Sequence, residues 1–318
     1  MTLTKFIHFI RYLIFSFILK FKNFNHDKSI LIFSEARGGS TWLMELLKVI
    51  PRTCINWEPL HLKRGVVPAS YRFGSRPYLP DNEKNTDYLA LFEEIHTLKR
   101  ANTWTTKLLT YRTLTESNLV ITKYVRANLL VPFLLNNFSY KYSPIFLLRH
   151  PVDTCISQIK AFDNGDFSIQ PFGIPDCINN ERFYEHYDYI KSLRSKLEQK
   201  IAIWCLNNCP TINRIHELDV QIIFYSDLVL NPKLELQKIL DSYDINVDSK
   251  SLKNLNFTKA SRTDFNNELK NLPEEQLYKN FKKLDEETKE KIQNVFDHFE
   301  FRLYCAFSPF PAKEKLLA

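Results

Sequence analysis

Glycine is scarce in this chain: six residues among 318, against 25 phenylalanines, so an adjacent pair marks a backbone geometry other residues resist. The six cysteines (Cys54, Cys155, Cys177, Cys205, Cys209 and Cys305) include no Cys-x-x-Cys pair and no zinc-type spacing with histidine. That leaves free, buried thiols and a reducing compartment as the expectation, over a disulfide framework. Acidic residues are absent before Asp27, whereas Lys5, Arg11, Lys20 and Lys22 precede it. Net charge is 43 − 36 = +7, and those four cations leave only +3 on the remaining body, too little to read as a nucleic-acid surface. No internal repeat or low-complexity tract is present.

A long apolar run is missing as well. The uncharged stretch 12–19 is far short of the ~20 residues a membrane span requires. On a helical wheel Thr4, His8, Arg11 and Lys22 share one arc, widened by Lys5, Ser16 and Lys20. Residues 1–24 are therefore expected to form a basic amphipathic helix on an anionic membrane surface. The alternatives are a helix packed on the domain and a short Golgi signal anchor. The first two imply a cytoplasmic protein, the first of them peripheral to the membrane. The expected division is a helix over 1–26 and one α/β domain over 27–318.

What is there begins at Ile30. Ile30-Leu31-Ile32-Phe33 is an apolar β-type run, Gly38-Gly39 a turn, and Ser40-Thr41-Trp42-Leu43 the start of a helical pattern. Strand, glycine turn and helix N-terminus together present backbone N–H groups to a phosphate-like anion. Arg37 precedes the glycines, and Gly39 stands where a nucleotide-hydrolysing P-loop has its lysine. Strands are also expected at Thr53–Trp57, Leu119–Val125, Pro144–Leu148 and Val220–Tyr225. They alternate with helices at Thr41–Val49, Asp87–Ala101, Leu129–Phe138, Pro151–Ala161, 181–208 and Pro232–Tyr243, followed by a charged helical stretch, Pro273–Phe299. This order predicts an α/β fold, a P-loop-like parallel sheet flanked by helices.

A second constellation is Pro144-Ile145-Phe146-Leu147-Leu148-Arg149-His150-Pro151-Val152-Asp153-Thr154-Cys155-Ile156-Ser157. Arg149 leaves a strand end and Ser157 lies two turns into the next helix, so both can face the groove above the carboxyl edge of the sheet. Arg149 offers a bidentate fork for a phosphate and Ser157 a hydroxyl donor. Together the two segments resemble the sulfotransferases that use 3′-phosphoadenylyl sulfate (PAPS). The first is similar to that family's 5′-phosphosulfate loop, the second to its 3′-phosphate motif. Val120-Ile121-Thr122-Lys123-Tyr124-Val125-Arg126 resembles the strand that carries a lysine, and Phe224-Tyr225-Ser226-Asp227-Leu228 its Tyr-x-Asp-Leu segment.

The resemblance implies a donor site of Arg37, Gly38, Gly39, Ser40, Thr41, Trp42, Arg149, Ser157 and Tyr225. Ser261 and Arg262 stand nearest to the family's C-terminal Arg-Lys-Gly loop. The Trp42 ring itself reads as helix core. Phenol and steroid sulfotransferases carry a catalytic histidine two residues after the lysine, where this chain has Val125. The base is then expected at Glu58, in Trp57-Glu58-Pro59-Leu60-His61, similar to the Glu-Pro-Leu segment of carbohydrate 6-O-sulfotransferases. Repulsion from a bound anion would raise the pKa of Glu58, with His61 in reserve. Arg37, the loop N–H groups and Ser40/Thr41 would stabilise charge on the leaving oxygen, Lys123 would reach the transferring group or the acceptor, and Glu35 would pair with Arg37 or orient the turn. The expected reaction is metal-free sulfuryl transfer to a hydroxyl, on a glycan or glycolipid, the acceptor site shaped in part by the Pro- and aromatic-rich stretch 57–79. The rivals are a P-loop kinase or NTPase, and a membrane-associated binding protein with a degenerate donor site.

Overall fold

The computed structural model describes residues 3–162, 174–255, 257 and 273–316. Five short strands, β1 (Ile30–Phe33), β2 (Thr53–Trp57), β3 (Leu119–Tyr124), β4 (Ile145–Leu148) and β5 (Gln221–Phe224), form one parallel sheet in the order β2-β3-β1-β4-β5. The helices up to β4 are α1 (Leu3–Phe21), α2 (Ser40–Leu47), α3 (Thr86–His96), α4 (Tyr111–Glu116) and α5 (Val131–Asn137). After it come α6 (Pro151–Phe162), α7 (Arg182–Ser192), α8 (Lys196–Ile212), α9 (Tyr225–Leu230), α10 (Pro232–Ser242), α11 (Ser249–Lys253), α12 (Pro273–Tyr278) and α13 (Glu286–His298).

The two-residue period of the strands sorts the core into layers. Leu31, Phe33, Phe146 and Leu148 face α3, α5, α6, α8 and α13, while Ile30, Ile32, Ile145 and Leu147 face α2, α9, α10 and α12. With both faces covered, the central strands read as continuous apolar runs, which is why they were legible. All six cysteines are free, five buried and Cys305 exposed.

Three helical boundaries differ from the sequence pattern, each for a local reason. The expected helix over 181–208 is two helices, because Leu193 takes an extended conformation and Ser195 caps α8, accepting from the Glu198 N–H. The expected run Asp87–Ala101 stops at His96, where Thr97 Oγ1 donates to the Glu93 carbonyl and Leu98 adopts a positive φ of 56°. The stretch Pro273–Phe299 divides into α12 and α13, the latter capped by Asp285 on the Thr288 N–H. The short helix α4, closed by a reciprocal capping box between Thr110 and Thr113, was not anticipated.

Helix α1 packs on the domain. Phe15 and Leu19, with Phe24 beyond the helix, bury against Cys54, Leu98, Leu109, Leu114 and Val120. Arg11 Nη2 donates to the Lys107 carbonyl, Tyr12 Oη to the Ala101 carbonyl, and Lys22 Nζ to the carbonyls of Thr115 and Ser117. Arg11 and Lys22, two of the cations expected to serve membrane association, are thus engaged with backbone carbonyls of the domain. The outward side is apolar instead: Ile10, Leu13, Ile14, Phe17 and Phe21 are exposed, the last two at 62% and 76%. No helix among the described residues is long and apolar enough to cross a membrane.

Candidate active site

Every strand ends at the same edge of the sheet, and the sequence-predicted residues among those described gather there. After β1, Arg37 takes φ 67° and Gly39 φ 99° to turn the chain into α2. A Cβ on Gly39 would lie 2.5 Å from the Tyr225 ring, and one on Gly38 2.3 Å from Ser34 Oγ, so both positions require glycine. No side chain caps α2, whose first turn begins with Ser40 and Thr41, both buried. Trp42 is buried in α2 and meets Tyr225 edge-on at 6.3 Å, so its ring belongs to the core.

Arg37, Arg149 and Ser157 are brought together. Arg37 Nε donates to Ser157 Oγ at 3.0 Å, and Arg149 Nη1 to the Arg37 carbonyl at 3.0 Å. The Arg149 guanidinium stacks over Tyr225 at 4.4 Å, lies 3.8 Å from Asp153, and keeps a buried Nε with no partner among the described residues. A cationic fork with an unused donor, beside an uncapped helix start, suits an anion. Glu35 pairs with Arg76 (2.6 Å), not with Arg37, and also accepts from Gln158 and Asn208. It holds the turn from behind, with Gln158 Nε2 bonding the Ala36 carbonyl at 2.8 Å. Arg76, Gln158 and Asn208 have no motif of their own; Gln158 is betrayed only by adjoining Ser157.

The other half of the site lies toward β2. Parallel register sets Trp57 opposite Lys123, and the next residue, Glu58, donates its N–H to the Lys123 carbonyl at φ 43°. Lys123 Nζ, on a side chain only 2% exposed, donates to Glu58 Oε1 at 2.6 Å and sits 3.9 Å over the Trp57 ring. Burial lowers the Lys123 pKa, and Glu58 opposes that. The charged groups that act on Glu58 within the protein, Lys123, Lys107 and Arg126, are all cationic. Val125, in the place of the histidine of phenol and steroid enzymes, is buried. His61 accepts from the Lys63 N–H at Nδ1, and burial, then Arg126, lowers its pKa, keeping it neutral. Ser261 and Arg262 lie outside the described residues.

Around this pair stand residues that sequence reasoning passed over. Lys107 Nζ lies 3.7 Å over Trp104 and 3.9 Å over Trp57, and Arg64 stacks 5.0 Å over Trp104. Burial, partly opposed by Glu58, lowers Lys107 to about 8; burial and then Arg76 lower the Arg126 guanidinium to about 10. No spacing rule marks Lys107, which reaches the site because the Trp57 N–H bonds the Thr105 carbonyl.

Solved structures similar to the chain include mouse sulfotransferase SULT7A1 complexed with PAP, at 17% identity and TM-score 0.33, with 75% of this chain and 66% of that one covered. The sulfotransferase domain from the curacin biosynthetic pathway gives 15% identity and TM-score 0.43, covering 86% of this chain and 98% of that one. Retinol dehydratase in complex with retinol and PAP gives 12% and 0.39, covering 89% and 83%. A search of the curated proteins gives no match. Residues 27–304, which hold the β1–α2 loop, Glu58, Lys123, Arg149 and Tyr225, match the sulfotransferase domain, and the chain belongs to the sulfotransferase family.

Proposed function

We propose that this sulfotransferase takes its sulfuryl group from PAPS and passes it to a hydroxyl of a glycan or glycolipid, with Glu58 as the base. The observation that carries the reading is the 2.6 Å Lys123–Glu58 pair, one strand over from the uncapped β1–α2 loop. Arg149, Ser157 and the α2 N–H groups would hold the donor's phosphates, the fit resting on the unused Arg149 Nε and the uncapped helix start. As the acceptor oxygen bonds to sulfur, its proton passes to Glu58 and the bond to the leaving phosphate breaks. Lys123, released from Glu58 as that carboxylate is neutralised, stabilises the transferring group, and Arg37 the leaving oxygen. Trp57, adjacent to Glu58 in the chain, packs edge-on against Trp104 and walls this side of the site.

Glu58→Gln keeps the size and loses the base, so PAP affinity by calorimetry should hold while kcat falls ~10²–10⁴-fold. Near-normal kcat would overturn the assignment and move the role to His61. Faster turnover of a simple phenol than of its glycoside would overturn the acceptor class.

The exposed face of α1 favours a membrane-peripheral setting. Ile10, Leu13, Ile14, Phe17 and Phe21 form an apolar stripe on a segment with four cations and no acid before Asp27, complementary to an anionic bilayer surface.

A further inference from the structure

The cluster beyond Glu58 is built for more than a neutral sugar. Five cations, Lys123, Lys107, Arg126, Arg64 and Arg76, gather there with two carboxylates, Glu58 and Glu35. Each carboxylate already engages one cation, Lys123 or Arg76. Lys107 pairs with no carboxylate among the described residues; its ammonium rests on the faces of two indoles. The indole N–H groups of Trp57, itself 5% exposed, and of Trp104 are buried with no acceptor among the described residues. A half-buried cation and two orphan donors side by side lack one thing, an acceptor group with negative charge.

The position matters as much as the chemistry. Segment 102–109 lies along β2, an edge strand, whereas Arg149 follows β4 and Ser157 lies on α6, on the other side of β1. Lys107 therefore stands on the acceptor side of Glu58, away from the groups suited to the donor's phosphates.

We propose that Lys107, Trp57 and Trp104 form an acceptor subsite for an anionic substituent, so that the preferred acceptor is an acidic hydroxyl compound carrying a carboxylate, sulfate or phosphate near the hydroxyl that is modified. This rests on the reading of Glu58 as the base facing the acceptor. The indoles supply the N–H donors, and Lys107 supplies the charge that a neutral acceptor leaves unanswered. Arg64, stacked on the outer indole, adds attraction as the acceptor approaches.

The test uses the full chain with PAPS and a matched pair of acceptors, p-nitrophenyl β-D-glucuronide and p-nitrophenyl β-D-glucoside. The expected result is a kcat/KM at least about tenfold higher for the glucuronide, with that ratio collapsing in Lys107→Gln and largely recovering in Lys107→Arg. Calorimetry of the glucuronide on the PAP complex reads the subsite without turnover and should show the same loss in Lys107→Gln, while PAP affinity verifies that the variant is folded. Turnover without charge preference, or a preference that survives Lys107→Gln, overturns the subsite and leaves the base assignment standing. Glucuronide binding that depends on Lys107, with no transfer, upholds the subsite and overturns the proposed acceptor reading. Absence of both transfer and Lys107-dependent binding overturns both. Sulfated and phosphorylated sugars in the same calorimetry then distinguish the anion.

Discussion

Arg149 and Gly39 shape the proposed donor site, and each can be tested singly. Arg149→Ala removes a charged fork over Tyr225 and should weaken PAP binding by on the order of 1.5–3 kcal/mol, measured by calorimetry. Unchanged affinity would detach Arg149 from the donor. Gly39→Ala places a methyl against the Tyr225 ring at a φ of 99°, so stability should fall by about 1–3 kcal/mol in urea unfolding, with PAP binding reduced as the turn shifts. Lys107 gives a pH signature. Burial above all, with Lys123 and Arg64 adding to it and Glu58 opposing, lowers its pKa to about 8 and leaves it charged below that pH, while burial keeps the neighbouring His61 neutral. Preference for an acidic acceptor, measured as the kcat/KM ratio, should therefore decline as pH rises through about 8. The residues on strand–turn–helix motifs were legible because loop geometry and chemistry coincide in a few consecutive positions. Lys107, Arg76 and Asn208 were not, because tertiary packing alone delivers them.

At the scale of elements, the strands were readable from continuous apolar runs, and the helix breaks were not. Leu193 and Ser195 differ little in composition from the helices they separate; a cap and one extended residue decide the break. Helix α1 was legible as amphipathic, yet which face turns inward depended on the loop carbonyls of Lys107, Thr115 and Ser117. Its outward stripe supplies the element's own prediction. Phe17→Ser with Phe21→Ser should lower co-sedimentation with anionic vesicles several-fold without lowering Tm, since both rings are exposed. Co-sedimentation unaffected by the pair would remove the stripe from any membrane contact.

For the whole molecule, two imidazoles in the core contribute to acid sensitivity. His150 accepts from the Val152 N–H at Nδ1, so its Nε2 carries the proton and donates to the Cys305 carbonyl, a fully bonded neutral ring. His96 lies between the hydroxyls of Tyr124 and Tyr140. Burial lowers both to about 3. The unfolded chain, with ordinary histidines, takes up protons first, so this stability is complete above about pH 6.5 and is lost progressively as pH falls toward 3. By pH 5 the loss is about 2 kcal/mol for each ring, a large part of a typical margin. The urea midpoint should drop markedly between pH 7 and pH 5; an unchanged midpoint would mean the rings are protonated or solvated in the native state.

The way α1 is seated also governs where the chain can be shortened. A protein begun at Asp27 would keep the five strands, the β1–α2 loop and Glu58, yet would uncover Leu98, Leu109, Leu114 and Cys54 and leave the carbonyls of Ala101, Lys107, Thr115 and Ser117 without their partners. Such a fragment should self-associate through the bared patch. Its wall bearing Trp104 and Lys107 would lose its backing, so truncation damages acceptor selection before it damages donor binding.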